Sequence, residues 1–174
     1  MTYYRREWLS FLRAAVQVTR HAFGLTWGQT LHGAWLVLRA NQQWAPFPDN
    51  DPEGARRTMQ RFYELVRRRH GESFDPVVAS RLEVEWWRVH REYQHNGNAG
   101  HGDGPLIDAL AALYAYVFGV DQASVRRAGE QRAEAMRYSD RWVREGCSMA
   151  SPLIDLERAA LVRSYAALLA AVHR

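Results

Sequence analysis

The sequence predicts an all-α protein, a compact bundle of about six to seven helices forming a single domain over residues 1–174. Three observations predict it. Apolar residues recur at three- and four-residue spacing through nearly every segment. The segments are punctuated by helix-capping chemistry, with Asp, Ser or Thr at the starts and glycine at several ends. No stretch alternates apolar and polar residues as a half-buried strand would, and no internal repeat or heptad run competes.

The first predicted helix runs from about Tyr3 to Phe23, with Trp8, Leu12, Ala15, Val16, Thr19 and Phe23 on one face, and Gly24 ends it. A capping box, Thr26 with Gln29 three residues on, opens the second. Its expected buried stripe is Trp27, Leu31, Ala34, Trp35 and Leu38. The two prolines between Ala45 and Asp51 mark a connector. Asp51 and Pro52 then start a third helix that turns Met59, Phe62, Tyr63 and Val66 inward and stops at Gly71.

Asp75 and Pro76 repeat this opening for a fourth helix, whose apolar stripe is Val78, Leu82, Trp86, Val89 and Tyr93 and which continues to about His95. The glycine-rich run from Asn96 to Gly104 breaks helical pattern and reads as a mobile loop, the natural lid or tip. Pro105 begins a helix that is apolar around nearly its whole circumference, with Asp108 its only charge, and this predicts the most central element. Asp121 caps the next helix, which ends near Gly146, and Ser151 with Pro152 begins the last.

Composition narrows the function classes. A chain with 47% hydrophobic and 24% charged residues and a mean hydropathy of -0.44 is that of an ordinary globular protein. No apolar run approaches the roughly 20 residues of a bilayer span, and Arg13 interrupts what a secretory leader would keep apolar. Cys147 is the sole cysteine, which excludes an internal disulfide and multi-thiolate metal sites and fits a cytoplasmic protein.

All 23 basic residues are arginine. Without lysine there is no Schiff-base chemistry, no pyridoxal phosphate anchor and no phosphate loop of the Gly-Lys-Ser/Thr type. Basic faces such as Arg56, Arg57 and Arg61, or Arg126, Arg127 and Arg137, are interrupted by Glu64, Glu130 and Glu134. They read as solvated surfaces laced with ion pairs, which argues against a nucleic-acid partner.

Chemistry concentrates on two helices. At 100° per residue, Val125, Ala128, Arg132, Met136, Ser139 and Val143 form one stripe, so a guanidinium and a hydroxyl occupy core-facing positions. A buried Arg132 needs a carboxylate or an anionic ligand, and either an internal brace or a bound anion satisfies it. On the fourth helix Glu83, Trp87 and His90 lie along one line beside Trp86. That pattern suits an acid/base histidine oriented by a carboxylate and walled by indole rings. Asp108 is a second candidate to orient it, although an acid near a helix N-terminus is also simply favoured there.

A dinuclear iron site is disfavoured, because only one Glu-x-x-His motif, Glu92 to His95, is present. His90 and His95 point about 140° apart and do not chelate as a pair, so no metal site is assigned. Haem needs only one axial histidine, for which His21, His32 and His90 are equally eligible. Two function classes follow. One is a small-molecule protein, with scope for enzymatic activity on an anionic or aromatic metabolite, using His90, Glu83 and Asp108 for chemistry and Arg132, Ser139, Trp86 and Trp87 for binding. The other is a homo-oligomeric interaction or regulatory protein in which the same polar groups fix the packing.

Overall fold

The computed structural model describes residues 26–96 and 102–173. The expected helix from Tyr3 to Phe23 and most of the expected loop from Asn96 to Gly104 lie outside the described residues. Six helices and no strand are found among them: α1 (Trp27–Trp44), α2 (Pro52–His70), α3 (Pro76–Asn96), α4 (Gly104–Phe118), α5 (Gln122–Arg144) and α6 (Leu153–Val172). The protein is all-α, and none of these helices is long and apolar enough to cross a membrane.

The caps act where the sequence puts them. The Thr26 hydroxyl oxygen accepts from the Gln29 N–H and the Gln29 side chain accepts from the Thr26 N–H at 3.0 Å. Asp51 accepts from Gly54 N–H at 2.8 Å, Asp75 from Val77 N–H at 2.8 Å and Asp121 from Ala123 N–H at 2.9 Å. Each bond satisfies an amide that the first helical turn leaves without a partner. Gly71 (φ 68°) and Gly119 (φ 63°) end α2 and α4 in the left-handed conformation, where a Cβ would be strained.

Contacts gather the chain into two compact units, Met1–Arg81 and Leu82–Arg174, with α3 running through the boundary. In the first unit α1 packs on α2. The inward residues of α2, Met59, Phe62, Tyr63 and Val66, are buried as expected. The stripe expected for α1 is corrected. Ala34 is buried, but Trp27, Leu31 and Trp35 are more than half exposed, and Thr30, Gly33, Leu36 and Ala40 take the inner face instead. Close approach explains the rotation: a Cβ on Gly33 would stand 3.4 Å from the Phe62 ring, a separation that small residues permit and indoles do not.

In the second unit α5 packs against both α4 and α6. The expectation that α4 is the most central helix is therefore corrected, since α4 leaves Phe118 exposed at its end while α5 carries contacts on two flanks. Small residues make this possible. Ala111, Val125, Ala128, Leu168 and Ala171 join α4, α5 and α6 in one apolar cluster. Val89, Leu106, Leu110 and Ala133 join α3, α4 and α5 in another.

α4 and α5 approach closely at Gly129, where a Cβ would meet the Ile107 carbonyl oxygen at 3.1 Å and the Ala111 nitrogen at 3.6 Å. Gly129→Ala gains about 1 kcal/mol of helix propensity. It also forces apart two helices at a backbone contact that cannot rotate away, at a cost of roughly 1–3 kcal/mol. A net loss of about 1 kcal/mol is expected in denaturant titration. A net gain would show that α4 yields.

Candidate functional site

All the candidate residues lie in the Leu82–Arg174 unit, and the shape of α5 positions them. Relative to Arg132, the buried Gly129 and Ala133 sit roughly 60–100° to one side and the buried Gln131, Ala135 and Trp142 the same amount to the other. The line between these flanks, Arg132, Met136, Ser139 and Val143, is half-buried. Full burial of Arg132 and Ser139 is thus corrected. Their stripe is the seam between two packed faces, and it leaves a line of partly covered side chains along α5.

Arg132 makes no ion pair or side-chain hydrogen bond among the described residues. Its guanidinium nevertheless acts electrostatically on two groups, Tyr114 of α4 and Glu157 of α6. Tyr114 bridges both apolar clusters, and burial pushes its phenol up to about 12, against the opposing influence of Arg132. Ser164, which donates to the Ala128 carbonyl at 2.9 Å, is also hydrogen-bonded to the phenol and, like Arg132, works against the rise. The phenol is held neutral and aligned.

Glu157 is half-buried, and its Oε2 is enclosed without a hydrogen-bond partner. Burial raises its carboxyl above the ordinary 4.5, while Arg132 pulls the other way without closing an ion pair. Because the folded carboxyl holds its proton more tightly than the unfolded one, ionising it opposes folding once the pH exceeds its raised pKa. Below the ordinary carboxylate range both states are protonated and the penalty vanishes. Glu157→Gln is therefore expected to raise stability in urea titrations near neutral pH, with the gain shrinking as the pH falls through the raised value and gone below about 4.5. A gain that grew with acidity would contradict this origin.

His90 of α3 is the second feature. Its Nε2 lies 2.9 Å from Asp140 Oδ2 of α5, with the two side chains 20% and 21% exposed. The other Asp140 oxygen accepts from Gln94 at 2.7 Å, so α3 grips this carboxylate twice. Trp86 lies beside the imidazole, ring centres 6.5 Å apart, and meets Trp87 edge-on at 6.1 Å. The pairing of His90 with Glu83 or Asp108 is corrected. Trp87 Nε1 donates to Glu83 at 3.1 Å, and Asp108 is exposed and ion-paired with Arg126. Reach explains both outcomes, since Glu83 is one turn from Trp87 on the same helix, whereas Asp108 faces outward.

The sequence pattern brought out His90, Arg132 and Trp86 but missed Tyr114, Asp140 and Glu157. Tyr114 sits in a helix apolar on all sides, so periodicity gave it no direction. Asp140 was legible only as the residue after Ser139. Field effects connect the parts: Glu83 acts on Tyr114, and Asp140 acts on Glu157. His90 and Asp140 are joined by a hydrogen bond, while Arg132 and Glu83 influence Tyr114, and Arg132 and Asp140 influence Glu157, through their charges. Among the described residues no group of three or more His, Cys, Asp or Glu side chains is arranged to hold a metal ion. Neither a protein-family model, nor a curated protein, nor a solved structure matches this chain.

Proposed function

We propose that the Leu82–Arg174 unit binds a small organic anion along α5, with Arg132 as its anchor. The observation that carries this reading is the unclosed pair. Arg132 is half-buried with no hydrogen-bonded partner among the described residues, and the nearby Glu157 Oε2 is enclosed without one. Desolvated charges left apart are costly, and a ligand carboxylate or phosphate on the guanidinium removes that cost with hydrogen bonds worth roughly 1.5–3 kcal/mol. The Tyr114 phenol offers an acceptor or donor to the same molecule, while Trp86 and Trp87 favour an aromatic body.

In this reading Ser139 lines the binding seam, and His90, held by Asp140, is the group able to take or give a proton. Enzymatic turnover belongs to the same proposal, and so does cytoplasmic residence, which the single thiol supports. Indole-3-carboxylate and inorganic phosphate are the probes, titrated calorimetrically into the protein and into Arg132→Gln. At least tenfold weaker binding to the variant is expected, about 1.4 kcal/mol. Equal affinities, or no heat from either probe, would remove the anchor and with it the reading. A second reading, self-association through exposed apolar surface, is favoured by the outer face of α6.

A further inference from the structure

From Ala159 onward, helix α6 presents large apolar residues on its outer as well as its inner side. Its inner face, Leu153, Ala160, Ser164, Leu168 and Ala171, is buried. Its outer face should then carry charge, yet Val162 is 63% and Leu169 59% exposed, flanked by Leu156 and Tyr165, with exposed Ala159 and Ala166 between them. A helix hydrophobic around its circumference is normally covered on all sides.

We infer that this outer face pairs with α6 of a second copy, antiparallel, about a two-fold axis level with residue 164. This inference rests on the self-association reading and is independent of the anion site. An isologous pair sets each residue opposite the one equally far beyond the axis. At this level Ala159 faces Leu169 and Val162 faces Ala166, so the two most exposed bulky side chains each meet a methyl group and the helices approach closely there. Asp155 faces His173, an acid opposite an imidazole.

Arg163, at the flank of this line, is held toward α5 by Gln131 and by Glu134 at 3.0 Å and so stays clear of the contact. The register is specific. Sliding the axis to residue 160 would set Val162 against Arg158 and Asp155 against Tyr165, losing both the size match and the charge match. A single helix pair is at the small end of stable interfaces, which places dissociation at about micromolar concentration.

Sedimentation velocity of the full chain over a concentration series is the test. Expected is a species of twice 20.1 kDa that reverts to one chain on dilution. Val162→Glu is expected to abolish it with an unchanged far-UV circular dichroism spectrum. Asp155→Arg should weaken it at least tenfold, and adding His173→Glu to Asp155→Arg should restore it; this arm also decides the matter if Val162→Glu fails to fold. A chain that stays monomeric at roughly 100 µM overturns the inference and assigns the face to a segment of the same chain or to another partner. A dimer indifferent to both Val162→Glu and the charge exchange overturns the α6 register. Neither outcome touches Arg132, whose binding test is read on the monomer as well as the dimer.

Discussion

Replacing Trp142 with alanine is expected to destabilise the Leu82–Arg174 unit by about 3–5 kcal/mol, the range for emptying a large aromatic from a packed core. Trp142 heads the largest fully buried side chains and is 1% exposed. It also holds the chain beyond α5. Its indole N–H donates to the Ser148 carbonyl at 2.7 Å, and its own carbonyl accepts from Cys147 N–H at 3.0 Å. Alanine leaves a cavity that a close-packed interior cannot fill and a carbonyl without its donor.

Against a typical total of 5–15 kcal/mol, such a loss takes a large share of the stability of the fold. Urea titration followed by circular dichroism measures it. Trp142→Phe keeps most of the packing and loses only the hydrogen bond, so a loss of about 1–2 kcal/mol is expected there. If alanine and phenylalanine cost the same, volume is not what Trp142 contributes.

The second large effect is an alkaline loss of stability traced to Tyr114. Its folded phenol is pushed up to about 12 from an ordinary 10, chiefly by burial. Below pH 10 both folded and unfolded chains keep the proton and the full stability is present. Between 10 and 12 the unfolded phenol releases its proton while the folded one does not, so stability falls by about 1.4 kcal/mol per pH unit, on the order of 2–3 kcal/mol in all. The absence of lysine helps, because no ammonium group titrates in this window. Tyr114→Phe is expected to remove this part of the decline while costing about 1 kcal/mol at neutral pH through the lost bond to Ser164. Parallel pH profiles for the two proteins would show that another group is responsible.

The anion reading and the α6 pairing ask different things of the same unit. Arg132 lies on the seam of α5 between two packed flanks, while Val162 and Leu169 point away from the buried side of α6. Loss of one function without the other is therefore the expected pattern for variants at these positions.

Helix boundaries were legible because capping is local. Thr26, Asp51, Asp75 and Asp121 each accept from an amide two or three residues away, so the chain needs no distant partner to mark those starts. The inner face of α2 was legible for a similar reason, since its apolar and arginine positions separate cleanly by periodicity. Where periodicity offered two apolar faces, it failed. On α1 the tryptophans outweigh Thr30, Gly33 and Ala40 in hydrophobicity, but the contact with Phe62 selects residues small enough for backbones to approach.

The site divides the same way. Spacing put Arg132 within the apolar stripe of α5 and His90 at the border of that of α3, because a 3.6-residue period is a property of one helix by itself. Partners are a property of two. His90 meets Asp140 across 50 residues of sequence, and the charge of Arg132 acts on Tyr114 and Glu157 of separate helices. Such juxtapositions depend on how α3, α4 and α6 rotate about α5, which side-chain volume decides and a linear pattern does not record.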